Sequence, residues 1–429
     1  MTYQDENNQL LKTYLDDSFF RAWGQREPEL ENFTKLELMF NPECNLRCKY
    51  CYLVKHGDEL YPREIRDINN QLDNLRMLLD YLTVNGYTPA FEVFSGEPLI
   101  QPDKLAAVRM IIDAYRNSEQ KPNITIPTNF TFIEDDAKAD RVKDIVQYGD
   151  EHGVKIFLSA SFDGKMIESN RPGTFVRSDE HYDKCFSFAK DMGFGFHPMV
   201  YSEGIERWPE NFLWYQEKLK EFDIPWWNIY LLEVRDKEWT GRQIESYGNF
   251  IRFLMNWTFD KLNHDRELMV RFILEKGFNM LKSPFVTIGR GLGCSIQSTV
   301  FVRMGDLSIV PCHRTSYQPF IYGQFKAERG KITGVKAGNV SMMNTVYSFN
   351  ARNQPYCERC ELEPICSFGC LGSQYETNGD MFTPIPTVCA MYRQKYESLK
   401  ASLRELGIVD RICSMINDRK ARLFMKEEG

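Results

Sequence analysis

The sequence predicts an α/β protein in which six strand–helix units form an open sheet or an incomplete barrel, followed by a smaller cysteine-rich α+β module. Short apolar strands alternate with longer helical patterns from about residue 36 to 235. Such alternation implies parallel strands joined by crossover helices. From about residue 285 the character changes, as glycines, short strands and cysteines crowd together. The length of 429 residues suits one large domain with one or two smaller ones.

Residues 1–35 read as a helical lead-in, because Leu10, Leu11, Tyr14 and Leu15 have helical apolar spacing. Residues 36–240 form the alternating domain. Its expected strands are Leu36–Phe40, Phe91–Phe94, Ile124–Pro127, Ile156–Phe162, Phe196–Tyr201 and Ile229–Val234. Helices are expected over Leu72–Leu82, Lys104–Tyr115, Ala139–Tyr148 and Tyr182–Met192. Residues 241–284 form a helical bridge, with Phe250, Phe253, Leu254, Trp257 and Leu262 at helical spacing. The cysteine-rich module covers 285–395. A terminal helix follows over 396–429, continuing the apolar face of Tyr392, Tyr396, Leu399 and Leu403.

The composition is that of a soluble globule, with 43% hydrophobic and 26% charged residues. A net charge of −7 argues against non-specific attachment to nucleic acid or an anionic membrane. No run approaches the roughly 20 apolar residues of a membrane helix. The opening Met1-Thr2-Tyr3-Gln4-Asp5-Glu6 does not read as a secretory signal. A cytoplasmic location is expected, where twelve cysteines point to metal rather than disulfides.

Cys44, Cys48 and Cys51 form a Cys-x3-Cys-x2-Cys group directly after the first strand. In parallel α/β folds the loops after strands carry the chemistry. Thiolate-bound iron–sulfur clusters take four cysteines. Three leave one iron open to a chelating ligand. The competing reading is structural zinc, for which His56 would have to complete the ligand set.

These residues, in Cys44-Asn45-Leu46-Arg47-Cys48-Lys49-Tyr50-Cys51-Tyr52, resemble the radical S-adenosylmethionine (SAM) superfamily. Ser95-Gly96-Glu97-Pro98 is similar to that family's Gly-Gly-Glu-Pro. The resemblance implies a partial (β/α)6 TIM-like barrel, a [4Fe–4S] cluster on the three cysteines, and SAM on the open iron. It further implies that Glu97 receives the SAM ammonium, beside Ser95 and Gly96. Tyr50 would then pack near the adenine, Asn129 and Ser161 would approach the ribose, and Arg171 the SAM carboxylate. Read without the family, Asp163-Gly164 is a turn signal and Arg171 a surface residue.

A second array, Cys357-x2-Cys360-x5-Cys366-x3-Cys370, is followed after 18 residues by Cys389, with Cys294 and Cys312 upstream. Seven cysteines suit two interleaved sites, while four of them alone would suit zinc. The array resembles the SPASM domain, which implies two auxiliary [4Fe–4S] clusters. By that resemblance Cys357, Cys360, Cys366 and Cys389 hold one. Cys294, Cys312 and Cys370 hold the other, with its fourth position open or filled by another residue. Gly305 lies further ahead of Cys312 than that pattern expects, which reads as a lengthened hairpin. Cys185 and Cys413 sit on apolar faces and read as packed thiols. His313, next to Cys312, is either a proton relay or a residue hydrogen-bonded beside the cluster.

The resemblance implies an oxidoreductase whose deoxyadenosyl radical takes hydrogen from a peptide or protein substrate, with auxiliary clusters accepting an electron. The leading expectation is thioether or carbon–carbon cross-linking of a ribosomally made precursor peptide. A flavodoxin or ferredoxin would be the reductant. The usual recognition module is longer than the roughly 35 residues before the first strand, so a separate recognition protein is one option. The alternatives are formylglycine-forming oxidation of a protein partner, as in sulfatase maturases, and a non-catalytic electron-transfer protein. Trp226 and Trp227 read as core, with a substrate mouth as the competing reading.

Overall fold

The computed structural model describes residues 35–426 apart from 95, 101, 174–176, 277, 287–291, 293, 352–353, 367 and 417–418. The expected N-terminal helix lies outside the described residues. Two compact units emerge, and they do not follow chain order. One takes the chain up to Ser161, Pro172–Phe194 and Ser295–Phe349. The other takes Phe162–Arg171, Gly195–Cys294 and Asn350–Gly429.

The first unit is built on an eight-stranded sheet. Strands β1 (Lys35–Met39), β2 (Ala90–Phe94), β3 (Asn123–Thr128) and β4 (Lys155–Ala160) pair in parallel, in chain order. Each strand alternates. Leu36, Leu38, Phe91, Val93, Ile124 and Ile126 are buried on one face, while Glu37, Glu92 and Thr125 share the other. Helices α1 (Tyr52–Leu60), α2 (Ile68–Val84), α3 (Pro102–Tyr115), α4 (Asp136–Glu151) and α5 (Asp179–Met192) run between and after these strands. Local chemistry fixes their ends. Asp67, Asp135 and Ser178 accept from backbone N–H groups of the first turns of α2, α4 and α5, and α5 stops at Gly193, with φ of 70°. In α2 the buried Leu75, Leu78, Leu79 and Leu82 follow helical spacing.

On its other side β1 pairs in parallel with β7 (Thr299–Arg303), which turns antiparallel into β8 (Ser308–Val310), β9 (Gly323–Glu328) and β10 (Lys331–Ala337). The turn of the β7–β8 hairpin holds Gly305. Gly305 is required there because an added Cβ would lie 1.9 Å from the carbonyl oxygen of Ile65.

The second unit holds β5 (Met199–Val200) and β6 (Leu232–Glu233), which pair only with each other. Six strands in one sheet were expected; four pair in that sheet and two pair apart. Its helices are α6 (Trp208–Glu221), α7 (Gly241–Lys261), α8 (Arg266–Arg271), α9 (Asn279–Val286), α11 (Leu371–Asn378), α12 (Pro386–Glu405), α13 (Val409–Met415) and α14 (Arg419–Lys426); α10 (Val340–Tyr347) belongs to the first unit. Helix α7 opens with a reciprocal Thr240–Gln243 cap. Tyr392, Tyr396, Leu399 and Leu403 are buried along α12, as their spacing requires. Trp226 stacks on Phe272, but Trp227 is 42% exposed, which corrects the expectation that both belong to the core.

Candidate iron–sulfur and cofactor site

Parallel strands share a direction, so the residues that follow them gather at one edge. The cysteine loop follows β1, Gly96 and Glu97 follow β2, Asn129 follows β3 and Ser161 follows β4. Backbone bonds lace these loops together. Glu97 N–H donates to the Glu43 carbonyl at 2.8 Å, Ser161 N–H to the Thr128 carbonyl at 2.7 Å, and Arg47 N–H to the Pro172 carbonyl at 2.5 Å. Gly96 lies against the cysteine loop so tightly that a Cβ would meet the Pro42 and Glu43 carbonyl oxygens at 2.3 and 2.5 Å. Gly173 is similarly tight against Asn45 and Leu46.

Cys44, Cys48 and Cys51 are half-buried thiols on this one loop, none of them in a disulfide. Leu46 N–H points at Cys44 Sγ at 3.4 Å, and the Asn129 amide nitrogen lies 3.7 Å from the same sulfur. Tyr50 is half-buried in the turn before Cys51. Ser95 lies outside the described residues. Three thiols, donors aimed at sulfur and a glycine-floored loop fit a cluster that takes three protein ligands.

Glu97 is buried, and both of its carboxylate oxygens are engaged. One accepts from Thr128 Oγ1 at 2.7 Å and Leu99 N at 2.9 Å, the other from Asn129 N at 2.5 Å. Burial pushes its carboxyl above the usual range, while these bonds and nearby Lys104 oppose the shift. Glu97 therefore ties the end of β2 to the end of β3. Asn129 has its amide nitrogen on Asn45 Oδ1 at 2.9 Å and its oxygen on Thr131 N at 3.0 Å and Oγ1 at 2.7 Å. In the second unit, Arg171 Nε pairs with Asp163 at 3.1 Å, both side chains buried, so it is not the surface residue the family-free reading gives.

His313 sits in the first unit, among partners that lie far from it in the chain. Its Nδ1 lies 2.7 Å from Glu37 Oε1. Its ring stacks on Phe94 at 4.5 Å and on Tyr52 at 5.6 Å. Neighbouring Glu92 pairs with Lys35, and burial next to Glu37 raises its carboxyl. A carboxylate in the middle of an apolar first strand was the available signal for Glu37.

Cys312 lies in the first unit; Cys294, Cys357, Cys360, Cys366, Cys370 and Cys389 lie in the second. Burial pushes the Cys366 thiol up to about 12, reinforced by Cys389, Cys357 and Cys360, and the Cys357 thiol up to about 11, reinforced by Cys389, Cys360 and Glu363. Among the described residues no three Cys, His, Asp or Glu side chains are close enough to hold a single metal ion. Cys185 and Cys413 are buried; Cys185 Sγ lies 3.3 Å from His181 Nε2.

Laces between successive strand ends thus bring a three-thiol loop to one edge of a parallel α/β sheet. The family profile described as Radical SAM superfamily matches residues 38–174. A comparison with curated proteins gives no match. Solved structures of anSMEcpe with bound AdoMet are similar in fold. A hexahistidine-tagged form of anSMEcpe shares 16% identity at a TM-score of 0.56, covering 92% of this chain and 100% of that one. The native form with AdoMet and a Cp18Cys peptide gives 16% and 0.55, covering 87% and 99%. Streptococcus suis SuiB bound to S-adenosylmethionine shares 14% at a TM-score of 0.48, covering 83% and 75%.

Proposed function

We propose that this chain is a radical SAM enzyme of the SPASM type that modifies a ribosomally made precursor peptide by thioether or carbon–carbon cross-linking. The observation that carries the reading is the three-thiol loop at the strand ends, one ligand short of a full set. When bound, the cluster and SAM supply a 5′-deoxyadenosyl radical that takes a hydrogen atom from carbon. Cys44, Cys48 and Cys51 hold the iron. Gly96 lets the chain approach without a side chain, and Tyr50, Ser95, Glu97, Asn129, Ser161 and Arg171 shape the SAM pocket. His313, whose Nδ1 lies 2.7 Å from Glu37, is the proton relay to the substrate.

In the C-terminal array, Cys357, Cys360, Cys366 and Cys389 hold one auxiliary cluster, and Cys294, Cys312 and Cys370 the other. A flavodoxin or ferredoxin in the cytoplasm is the reductant. No described helix is long and apolar enough to cross a membrane.

A second reading, oxidation of a side chain to an aldehyde, gains support from Glu37, which gives His313 the partner of an acid–base pair. Anaerobic incubation of the reconstituted protein with SAM, reductant and a peptide encoded nearby tests both. Loss of two hydrogen atoms without aldehyde trapping supports cross-linking; a trapped aldehyde supports the second reading. SAM cleavage that survives Cys44→Ala, Cys48→Ala and Cys51→Ala would remove both.

A further inference from the structure

The polar groups behind the cysteine loop form a continuous chain. Glu97 accepts from the backbone N–H of Asn129 at 2.5 Å. The Asn129 side chain then spans three partners. Its amide nitrogen donates to Asn45 Oδ1 at 2.9 Å and points at Cys44 Sγ at 3.7 Å, while its oxygen accepts from Thr131. Thr131 Oγ1 in turn accepts from Asn45 Nδ2 at 2.8 Å, which closes the ring. Arg177 donates to the Asn129 carbonyl. Asn129 is 6% exposed; its bonds to Glu97 and Arg177 are buried, and those to Asn45, Thr131 and Cys44 are partly so.

We propose that Asn129 is a positioning residue for the first cluster thiolate: it locks Asn45 and Cys44 in place and raises the cluster's reduction potential through its N–H···S contact. This rests on the reading of Cys44, Cys48 and Cys51 as cluster ligands. Donors aimed at a ligand sulfur stabilise the more negative, reduced cluster. The Leu46 N–H at 3.4 Å adds a second donor to the same sulfur. Cys44 thus receives two donors, one from its own loop and one from the end of β3, and Glu97 holds the latter in register. Asn129 belongs to the electron-accepting side of the site, a role distinct from contact with the SAM ribose.

The test uses the full chain, reconstituted anaerobically. The cluster with an open iron is recognised because its EPR signal changes when SAM is added, and its midpoint potential is then followed in a redox titration without SAM. Asn129→Ala and Asn129→Asp are compared with the unaltered chain. The expected result is a one-electron equilibrium shifted about tenfold towards the oxidised cluster, ~59 mV lower in potential. Asn129→Asp should fall further than Asn129→Ala, because it replaces a donor with a negative charge.

Thr131→Val, which removes one bond to the Asn129 oxygen while keeping the Thr131 N–H, should give a smaller fall in the same direction. It also serves if the Asn129 variants lose iron. Unchanged potential in Asn129→Ala with weakened SAM binding would overturn the proposal in favour of a ribose contact. Unchanged potential in Thr131→Val, with the Asn129 variants unable to hold iron, would overturn it too. If the unaltered chain gives no SAM-responsive signal, it is the assignment of the cluster itself that fails.

Discussion

His313 Nδ1 lies 2.7 Å from Glu37 Oε1, with the imidazole pressed between the rings of Phe94 and Tyr52. The carboxylate is almost fully buried and comes from the middle of β1. Such a pair fixes which ring nitrogen carries the proton and stabilises the imidazolium when a second proton arrives. Glu37→Gln keeps the shape and removes the charge. Product formation should fall on the order of 10²-fold, while iron content and SAM affinity hold. Equal losses in SAM cleavage and product formation would instead place the defect in the radical step.

The grouping of thiols in the C-terminal array makes a countable claim. Burial raises the Cys357, Cys366 and Cys389 thiols, and nearby cysteines of the same array add to each shift. Cys366→Ala and Cys389→Ala should each remove the same complement of about four irons per chain. Together they should remove no more than either alone. Combined with Cys44→Ala, the losses should add. Additive losses for the first pair would break the quartet apart.

Much of this architecture was legible in the sequence, and the part that was not has a physical cause. Strands β1 to β4 and their helices follow local periodicity, and each observed span lies within a few residues of its expected place. The fifth and sixth strands contracted to Met199–Val200 and Leu232–Glu233. Pro198 lacks an N–H for the ladder, so pairing there is confined to the Leu232 N–H on its carbonyl and an isolated Phe196–Ile229 bridge. The pairing of β1 with β7 is a contact between segments some 260 residues apart, which no local pattern encodes. The cysteine loop announced itself by spacing, whereas Glu37, Asn45 and Thr131 became functional candidates only through what they touch.

Acid should weaken the fold before most carboxylates titrate. Burial holds the His197 ring down to about 4, against 6.5 for a free histidine, and its edge packs on Tyr230 at 5.2 Å. His181, buried and paired with Glu134, is likewise lowered to about 4, with burial the larger influence. Between these values the unfolded chain binds protons that the folded chain refuses. Stability should therefore be level above pH 6.5 and decline as pH falls towards 4. His197→Phe should flatten part of that decline in thermal midpoints measured from pH 7.5 to 4.5. A slope identical to that of the unaltered chain would show that His197 titrates normally in the fold.

Lys395 and Glu233 form an ion pair with both side chains almost wholly buried, in the second unit. Tyr247 donates to the same carboxylate at 3.0 Å, Arg235 lies 3.7 Å from its other oxygen, and Ser283 receives a bond from the lysine at 3.1 Å. Glu233 is held below the usual carboxylate range by Lys395 and Arg235 in spite of its burial. Removing one member of a buried pair typically costs about 3–5 kcal/mol, and here Arg235 would offset part of that for Glu233. Lys395→Met should thus lower the denaturation midpoint sharply. Removing both charges, in Lys395→Met with Glu233→Gln, should bring no recovery, because Arg235 then loses its carboxylate and becomes the uncompensated charge. A double variant that regained most of the loss would mean that Arg235 does not need this carboxylate and that the unpaired Glu233 charge alone sets the cost of Lys395→Met.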